Sequence, residues 1–427
     1  MAVYQRILSL DGGGSWALIQ ARTLARLYPN ARGHEILRDY DLVISNSGGT
    51  LVVGGLLADM KPGDIADQLF CDKDVRDQIF VSKTFGFLAK WFGFGPRYST
   101  ADKFDGIRSN LNRLSPGLAD KHLSQLPGHI GREGTDFVFT TFDYDRQRAV
   151  YLRSNTDSVA NSDPAPRGTT ATPTLAEAIH AASTAPVNFF DEPAVMETAP
   201  FDQLRFWDGA VGGNNNPVLA GVVEALANGS APGELYAVSI GTASVMLPLS
   251  LDYRTEPPLA IDQESSGIFT DLKKLAKAIV DDPPDASSYV AYRIMHGQNA
   301  QGAAPRLVRF NPLIQPMPVN DSGGPPWRYP KTLEPDQDSD DNPFARLVAL
   351  QLDATAQEDV ELIERLCSLW MDGEVMNQPL QTDDRLGCCI GHRIFRHAEL
   401  AFHPRQSQPQ PPPLPTAPAP APAPAPA

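Results

Sequence analysis

The sequence predicts an α/β fold built on a mostly parallel sheet covered on both faces, and three observations carry that prediction. Short apolar runs closed by glycine or polar residues alternate with stretches of helical apolar spacing, and strands interleaved with helices assemble as parallel sheets. The same unit of strand, small-residue turn and helix occurs twice in the first sixty residues. The chain is also long enough, at 427 residues, for one large α/β domain with additions or for two domains.

In chain order, RILSL at 6–10 reads as a buried strand, after which Trp16, Ile19, Leu24 and Leu27 recur at roughly helical spacing. YDLVIS at 40–45 is the second strand. The helix after it, GGTLVVGGLLADM, carries glycines that oppose helix propensity and therefore point to close packing. TDFVFTTFDYD and AVYLRSN form a strand pair joined by a polar turn, TLAEAIHAAS a helix, and ELYAVSIGTAS another buried strand ending in glycine. Thr355 and Glu358 have capping-box spacing ahead of Val360, Ile363, Cys367 and Trp370, a helix with one apolar face. From about Arg405 the run QPQPPPLPTAPAPAPAPAPA is extended and solvated, with nothing to bury. The expected division is a main domain over 1–371, with its motifs in 5–245 and C-terminal helices to about 371. An extension over 372–404 and a disordered Pro/Ala tail over 405–427 follow.

Composition narrows the function classes. A hydrophobic fraction of 42% and a charged fraction of 20% are those of a soluble globular protein, so disorder is confined to segments. The net charge of −15 is interrupted by no basic stripe, which excludes a nucleic-acid footprint and disfavours an anionic membrane on average. Cys71, Cys367, Cys388 and Cys389 lack the spacing of a disulfide scaffold or a zinc site and read as reduced thiols. The opening MAVYQRILSLDGGG has no charged n-region, apolar h-region or cleavage site, and no apolar run approaches a membrane span. The expectation is a cytoplasmic protein, with signal-independent export as the other route. IFVSKTFGFLAKWFGFGPRY at 79–98 gathers aromatics with Lys83, Lys90 and Arg97 and no acid. It reads as a cap over a cleft, or as an interfacial element giving peripheral membrane contact. DQDSDD from Asp336 lacks the glycine and glutamate of a calcium loop, having Asp341 and Leu347 at those positions. It reads as a solvated acidic loop.

Three stretches carry chemistry. In VISNSGG, at 43–49, a serine on a sharp strand-to-helix turn needs very small residues two before and two after it. Ser47 has Ser45 and Gly49 there, whereas Ser45 would have the β-branched Val43, so Ser47 is the candidate nucleophile. In SLDGGGSWA, at 9–17, three glycines between strand and helix let backbone N–H groups converge on an anion or a developing oxyanion. No GK[ST] follows and Ala17 spoils a GxGxxG spacing, which leaves a plain tight turn as the other reading. In FWDGAVGGNNNP, at 206–217, Asp208 sits between an aromatic pair and Gly209, where a carboxylate can be held rigid and partly desolvated as a base. An ordinary Asp-Gly turn is the competing reading. His180, His392 and His397 could serve as bases by chemistry alone, yet none stands in a motif and each reads as structural.

In order and approximate spacing, DGGGSWA, SNSGG and DGA resemble the patatin-like phospholipase family pattern of DGGGxRG, GxSxG and a late DG[GA]. AIHAASTAPVNFF at 178–190 and SIGTAS at 239–244 are similar to two further stretches of that family, and the resemblance spans roughly residues 5–245. It implies a three-layer sandwich around a central, mainly parallel sheet, and a Ser-Asp dyad in place of a triad. Ser47 would be the nucleophile, Asp208 its base, and the N–H groups of Gly13 and Gly14 the oxyanion hole. Gly12 would shape that turn and Gly48 add its N–H. The implied activity is hydrolysis of lipid carboxylic esters, of phospholipase A or lysophospholipase type, on a lipid or phospholipid substrate, with no metal or cofactor. The competing reading is a catalytically weak or inactive member that keeps the fold and binds lipid or protein. Trp16 stands where the family has a basic residue, and Ala17 and Ser45 where it has glycines. The first change removes a positive charge beside the glycine loop, or shifts that role to another basic residue.

Overall fold

Eight strands form the central sheet: β1 (Arg6–Leu10), β2 (Leu42–Ser45), β3 (Asp136–Asp143), β4 (Arg148–Arg153), β5 (Ala194–Ala199), β6 (Asp202–Asp208), β7 (Tyr236–Ile240) and β8 (Leu307–Phe310). They belong to a computed structural model that describes residues 3–79, 99–158, 173–186, 190–199, 202–249, 258–261, 285–297, 306–319, 326–336, 341–350, 354, 356–383 and 388–404. The order is β5-β6-β3-β2-β1-β7-β8, with β4 also paired to β3. From β3 to β8 the neighbours run parallel, whereas β4, β5 and β6 pair antiparallel.

Alternation along each strand sends side chains to opposite faces, and both faces are buried. Leu8, Leu10, Val43, Phe137, Phe139, Val238 and Ile240 enter one apolar cluster. Ile7, Leu42, Ile44, Val138 and Ala237 enter the other. The first is covered by helices α1 (Leu18–Leu27), α2 (Gly48–Leu57), α3 (Thr100–Leu114), α4 (Leu175–Ser183) and α6 (Gln357–Met371), the second by α5 (Val218–Ala227) and helical residues 285–296. Three layers result, as the alternation of strands and helices predicts. Helix α6 has Ala356 as its N-cap, which offers no side-chain cap; Thr355, the expected capping residue, lies outside the described residues. The helix is fixed instead by its apolar face, where Val360, Ile363, Cys367 and Trp370 are all buried. Beyond it, Met376–Asn377 pairs with the short strand Pro312–Ile314, and Phe395 packs against Phe310 and Trp370.

The arrangement that positions the site lies on one edge of β3. β4 occupies the other edge, opposite Val138–Asp143. On the free edge β2 pairs with Asp136–Phe139 and β6 with Thr141–Asp143. β2 runs with β3 and β6 against it, so the two strands meet tip to tip. Ser45 lies opposite Phe139, Asp208 opposite Thr141, and Thr140 stands at the junction.

The basic, aromatic stretch from residue 80 to 98 and the Pro/Ala tail from 405 lie outside the described residues, as does most of the acidic loop. Among the described residues no helix is long and apolar enough to cross a membrane, and no group of three or more His, Cys, Asp or Glu could hold a metal ion.

Two substitutions in the VISNSGG turn should move stability in opposite directions. A Cβ on Gly49 would stand 2.7 Å from Leu10 O and 2.8 Å from Asp11 O. Both are backbone atoms, so Gly49→Ala is expected to cost about 2 kcal/mol and lower Tm by ~5 °C. The Ser45 hydroxyl is buried with no hydrogen-bond partner. Ser45→Ala removes it without changing the turn and should raise Tm by ~2 °C. Thermal unfolding followed by circular dichroism checks both; equal shifts would show that packing around the turn is loose.

Candidate active site

Ser47 follows the end of β2 with φ 45° and ψ −121°. A non-glycine residue at positive φ is strained by roughly 1–3 kcal/mol and persists only where its surroundings over-determine it. Here they do. The Ser47 N–H donates to Ala182 O at 2.9 Å, the Ser47 carbonyl accepts from Thr50 N–H at 2.9 Å and from Thr50 Oγ1 at 2.6 Å, and Gly49 N–H donates to Asn46 O at 2.8 Å. Asn46 and Gly48 on either side are buried, whereas Ser47 is partly exposed. The strained turn therefore presents this one residue of the segment to the outside.

Asp208 ends β6 and is buried. Its N–H donates to Thr184 O at 2.8 Å, so the C-terminal end of α4 holds the backbones of Ser47 and Asp208 two residues apart. Oδ1 accepts from Ala210 N–H at 2.8 Å and from Asn46 Nδ2 at 2.9 Å, and the nearby Ser47 hydroxyl favours the ionised carboxylate. Asn46 is itself oriented by Thr140 Oγ1, which donates to its Oδ1 at 2.7 Å. Gly209 is required here, because a Cβ would lie 2.5 Å from both Asn46 Oδ1 and Thr140 Oγ1. Burial pushes the Asp208 carboxyl above its ordinary value, and the Ala210, Ser47 and Asn46 donors and the charge of Lys103 pull it back. A buried carboxylate with raised proton affinity beside a serine hydroxyl can accept that hydroxyl's proton.

The glycine loop closes the other side. Gly12 lies against the serine: a Cβ on it would be 3.0 Å from Ser47 Cβ. Its N–H donates to Asn215 O at 2.8 Å and its carbonyl accepts from Thr242 Oγ1 at 2.6 Å, which fixes the turn. A Cβ on Gly48 would meet Gly14 O at 2.4 Å, so the serine turn and the loop are in contact. The N–H groups of Gly13, Gly14 and Gly48 donate to no backbone acceptor among the described residues, in keeping with donors open to a bound oxyanion. Beneath the loop Asp11 pairs with Arg309 at 2.6 Å, both side chains being 4% exposed, and Arg309 also donates to Ser239 Oγ at 2.7 Å. Burial pushes Asp11 up to about 6 against the pull of that arginine. Trp16 is buried in the apolar cluster, so its position offers the loop no charge, and Ala17 fits against Gly48.

Of the three histidines weighed as bases, none hydrogen-bonds Ser47 or Asp208. His180 is buried beside Phe104, ring centroids 5.1 Å apart, and burial holds it well below its ordinary value and therefore neutral. The structure adds residues that no motif marked: Asn46 and Thr140, which orient the carboxylate, Thr184, which holds its backbone, and Lys103, whose Nζ donates to Thr184 Oγ1 at 3.1 Å.

Comparison with known proteins agrees with this geometry. A family model described as Patatin-like phospholipase matches residues 8–222, a span that contains Ser47, Asp208 and the whole glycine loop. No curated protein matches the chain. Among solved structures the chain is similar to VipD from Legionella pneumophila, with 9% identity and a TM-score of 0.31, over 86% of this chain and 67% of that one. With half of its length matched by that family, the chain belongs to the patatin-like phospholipases.

Proposed function

We propose that the protein is a serine acyl hydrolase that cleaves lipid carboxylic esters, of phospholipase A or lysophospholipase type, through a Ser47–Asp208 dyad. One observation carries the reading: the strained turn that presents Ser47 sends the neighbouring Asn46 to the buried Asp208 carboxylate at 2.9 Å, while the carbonyls of Ala182 and Thr184 hold the backbones of Ser47 and Asp208 side by side. Asp208 takes the Ser47 proton as Oγ attacks the ester carbonyl. The N–H groups of Gly13 and Gly14, with that of Gly48, stabilise the oxyanion, while Gly12 shapes the loop. Collapse of the tetrahedral intermediate expels the alcohol, which takes the proton from Asp208, and leaves an acyl-serine. Water then attacks that ester with Asp208 again as base. Membership of the family supports a lipid substrate, and the competing reading, a fold kept only for binding, does not account for a buried carboxylate set beside the one residue that the strained turn presents.

Ser47→Ala should abolish turnover of a short-chain ester, and labelling by a fluorophosphonate, in a protein that stays folded. Asp208→Asn should lower kcat by roughly 10³-fold or more, because an amide has the shape of the base and cannot accept the proton. Single alanine replacements of the eight histidines should leave most of the turnover intact. A folded histidine variant as inactive as Ser47→Ala would replace the dyad with a triad, and near-normal Asp208→Asn turnover would remove the aspartate from the chemistry.

The pH profile follows from the same carboxylate. Asp208 must be ionised to act, and burial raises its proton affinity above the ordinary value of 3.8. The acidic limb of kcat/KM should therefore lie above that value, with activity rising as pH increases through it. A limb at or below the ordinary carboxylate range, measured on an uncharged ester, would show that another group titrates.

A further inference from the structure

Lys103 is a charged side chain in an apolar place. It projects from α3 with 2% of its surface exposed, and its Nζ lies 4.2 Å from the centroid of the Phe190 ring. Its hydrogen-bond acceptor among the described residues is Thr184 Oγ1, at 3.1 Å. A buried ammonium is strongly unfavourable unless it is compensated, and one hydroxyl and one ring are modest compensation. A methionine or leucine would suit the packing equally well. Thr184 does not need the amine either, since its hydroxyl already donates to His180 O at 2.6 Å. Packing and hydrogen bonding therefore leave the choice of lysine unexplained.

The explanation lies on the far side of Thr184, whose carbonyl accepts the N–H of Asp208. We propose that Lys103 is a positioning residue for the base: its charge, set one residue away from Asp208 across Thr184, keeps that buried carboxylate ionised. It is the positive charge of the site that position 16, occupied by a buried tryptophan, does not supply. The inference rests on the reading of Asp208 as the base.

The surrounding charges fit. Burial pushes the Lys103 ammonium down to about 7 and the Asp208 charge works against that, while the Lys103 charge in turn lowers Asp208. His180 of α4 faces the ammonium and is held neutral. Glu177, on the same helix, caps Thr174, and Asp191 accepts from Thr100 N–H and Oγ1 at the start of α3. Arg76, from the packed helix Lys73–Ile79, is turned to the carbonyls of Phe70 and Cys71 and to Gln357. Asp102 and Asp105 of α3 itself are exposed.

A cation favours the ionised carboxylate, so removing it raises the proton affinity of Asp208 and moves the acidic limb of kcat/KM to higher pH. Lys103→Met removes the charge and the donor, whereas Lys103→Gln keeps a donor for Thr184 without the charge. Both should shift the limb upward by about one pH unit while the activity at its plateau changes by no more than about threefold. An unmoved limb in both variants overturns the proposal, as does a shift in Lys103→Met alone, which would mean that only the hydrogen bond matters. A urea-unfolding cycle of Lys103→Gln and Asp208→Asn in the full chain keeps this separate from the hydrolase reading. If the wild-type protein shows no Ser47-dependent turnover, the hydrolase reading fails and the cycle still decides: non-additive unfolding free energies support the coupling of the two charges, and additive ones overturn it.

Discussion

The site depends on two strands ending against each other on one edge of β3. A parallel strand and an antiparallel strand sharing that edge must stop where they meet, and there each leaves the sheet with its last residues brought together. β2 gives up Asn46 and Ser47, β6 gives up Asp208 and Gly209, and Thr140 beneath them bonds to the asparagine that bonds to the aspartate. The catalytic proposal needs a serine beside a carboxylate, and this junction brings the two strand ends together, with Asn46 Nδ2 reaching Asp208 Oδ1 at 2.9 Å, without relying on long loops. α4 secures the result from above, since Ala182 O and Thr184 O take the backbone N–H groups of Ser47 and Asp208. Sheet and helix thus fix both residues through main-chain bonds, which hold position more tightly than side-chain packing does.

Close approach is the second constraint. The serine turn is wedged between β1, the glycine loop and α4, and its glycines touch backbone atoms that cannot retreat: Gly49 meets Leu10 O and Asp11 O, and Gly48 meets Gly14 O. The strain at Ser47 is sustained by that wedge. The same closeness sets Gly12 against Ser47 and Gly48 against Gly14, so the packing that forces the turn also brings the glycine loop to the serine.

Much of this was legible in the sequence, and the reasons differ from residue to residue. Ser47 could be chosen over Ser45 because close packing of backbones forbids large neighbours, a demand written in residue size. Asp208 was legible because Asp-Gly after an apolar run marks a strand end. The strands of the two repeated units were legible because burial on both faces makes them apolar throughout. Lys103, Thr140 and Arg309 were not, because each acts through a contact between residues far apart in the chain: Lys103 with Thr184, Thr140 with Asn46, and Arg309 with Asp11. A lysine within the polar pattern of α3 reads as solvated, and nothing local distinguishes it from Arg108 or Arg113 on the same helix.

The molecule contains its own comparison for the electrostatics of the base. Asp11 and Asp208 are both buried, and both lie within the glycine-loop and junction region. Asp11 has an arginine in direct contact and is still pushed up to about 6. Desolvation therefore dominates even a well-made ion pair in this interior. Asp208 has neutral donors and a cation at one remove, which pull its proton affinity down, and burial still leaves it raised. The difference in partner suits the difference in task. A guanidinium in direct contact would occupy the carboxylate oxygens and compete with the serine for them, whereas N–H donors on Oδ1 and a lysine behind Thr184 leave the carboxylate able to take a proton and return it. Asp11, beneath the loop, has the direct partner; Asp208, the proposed base, has the indirect one.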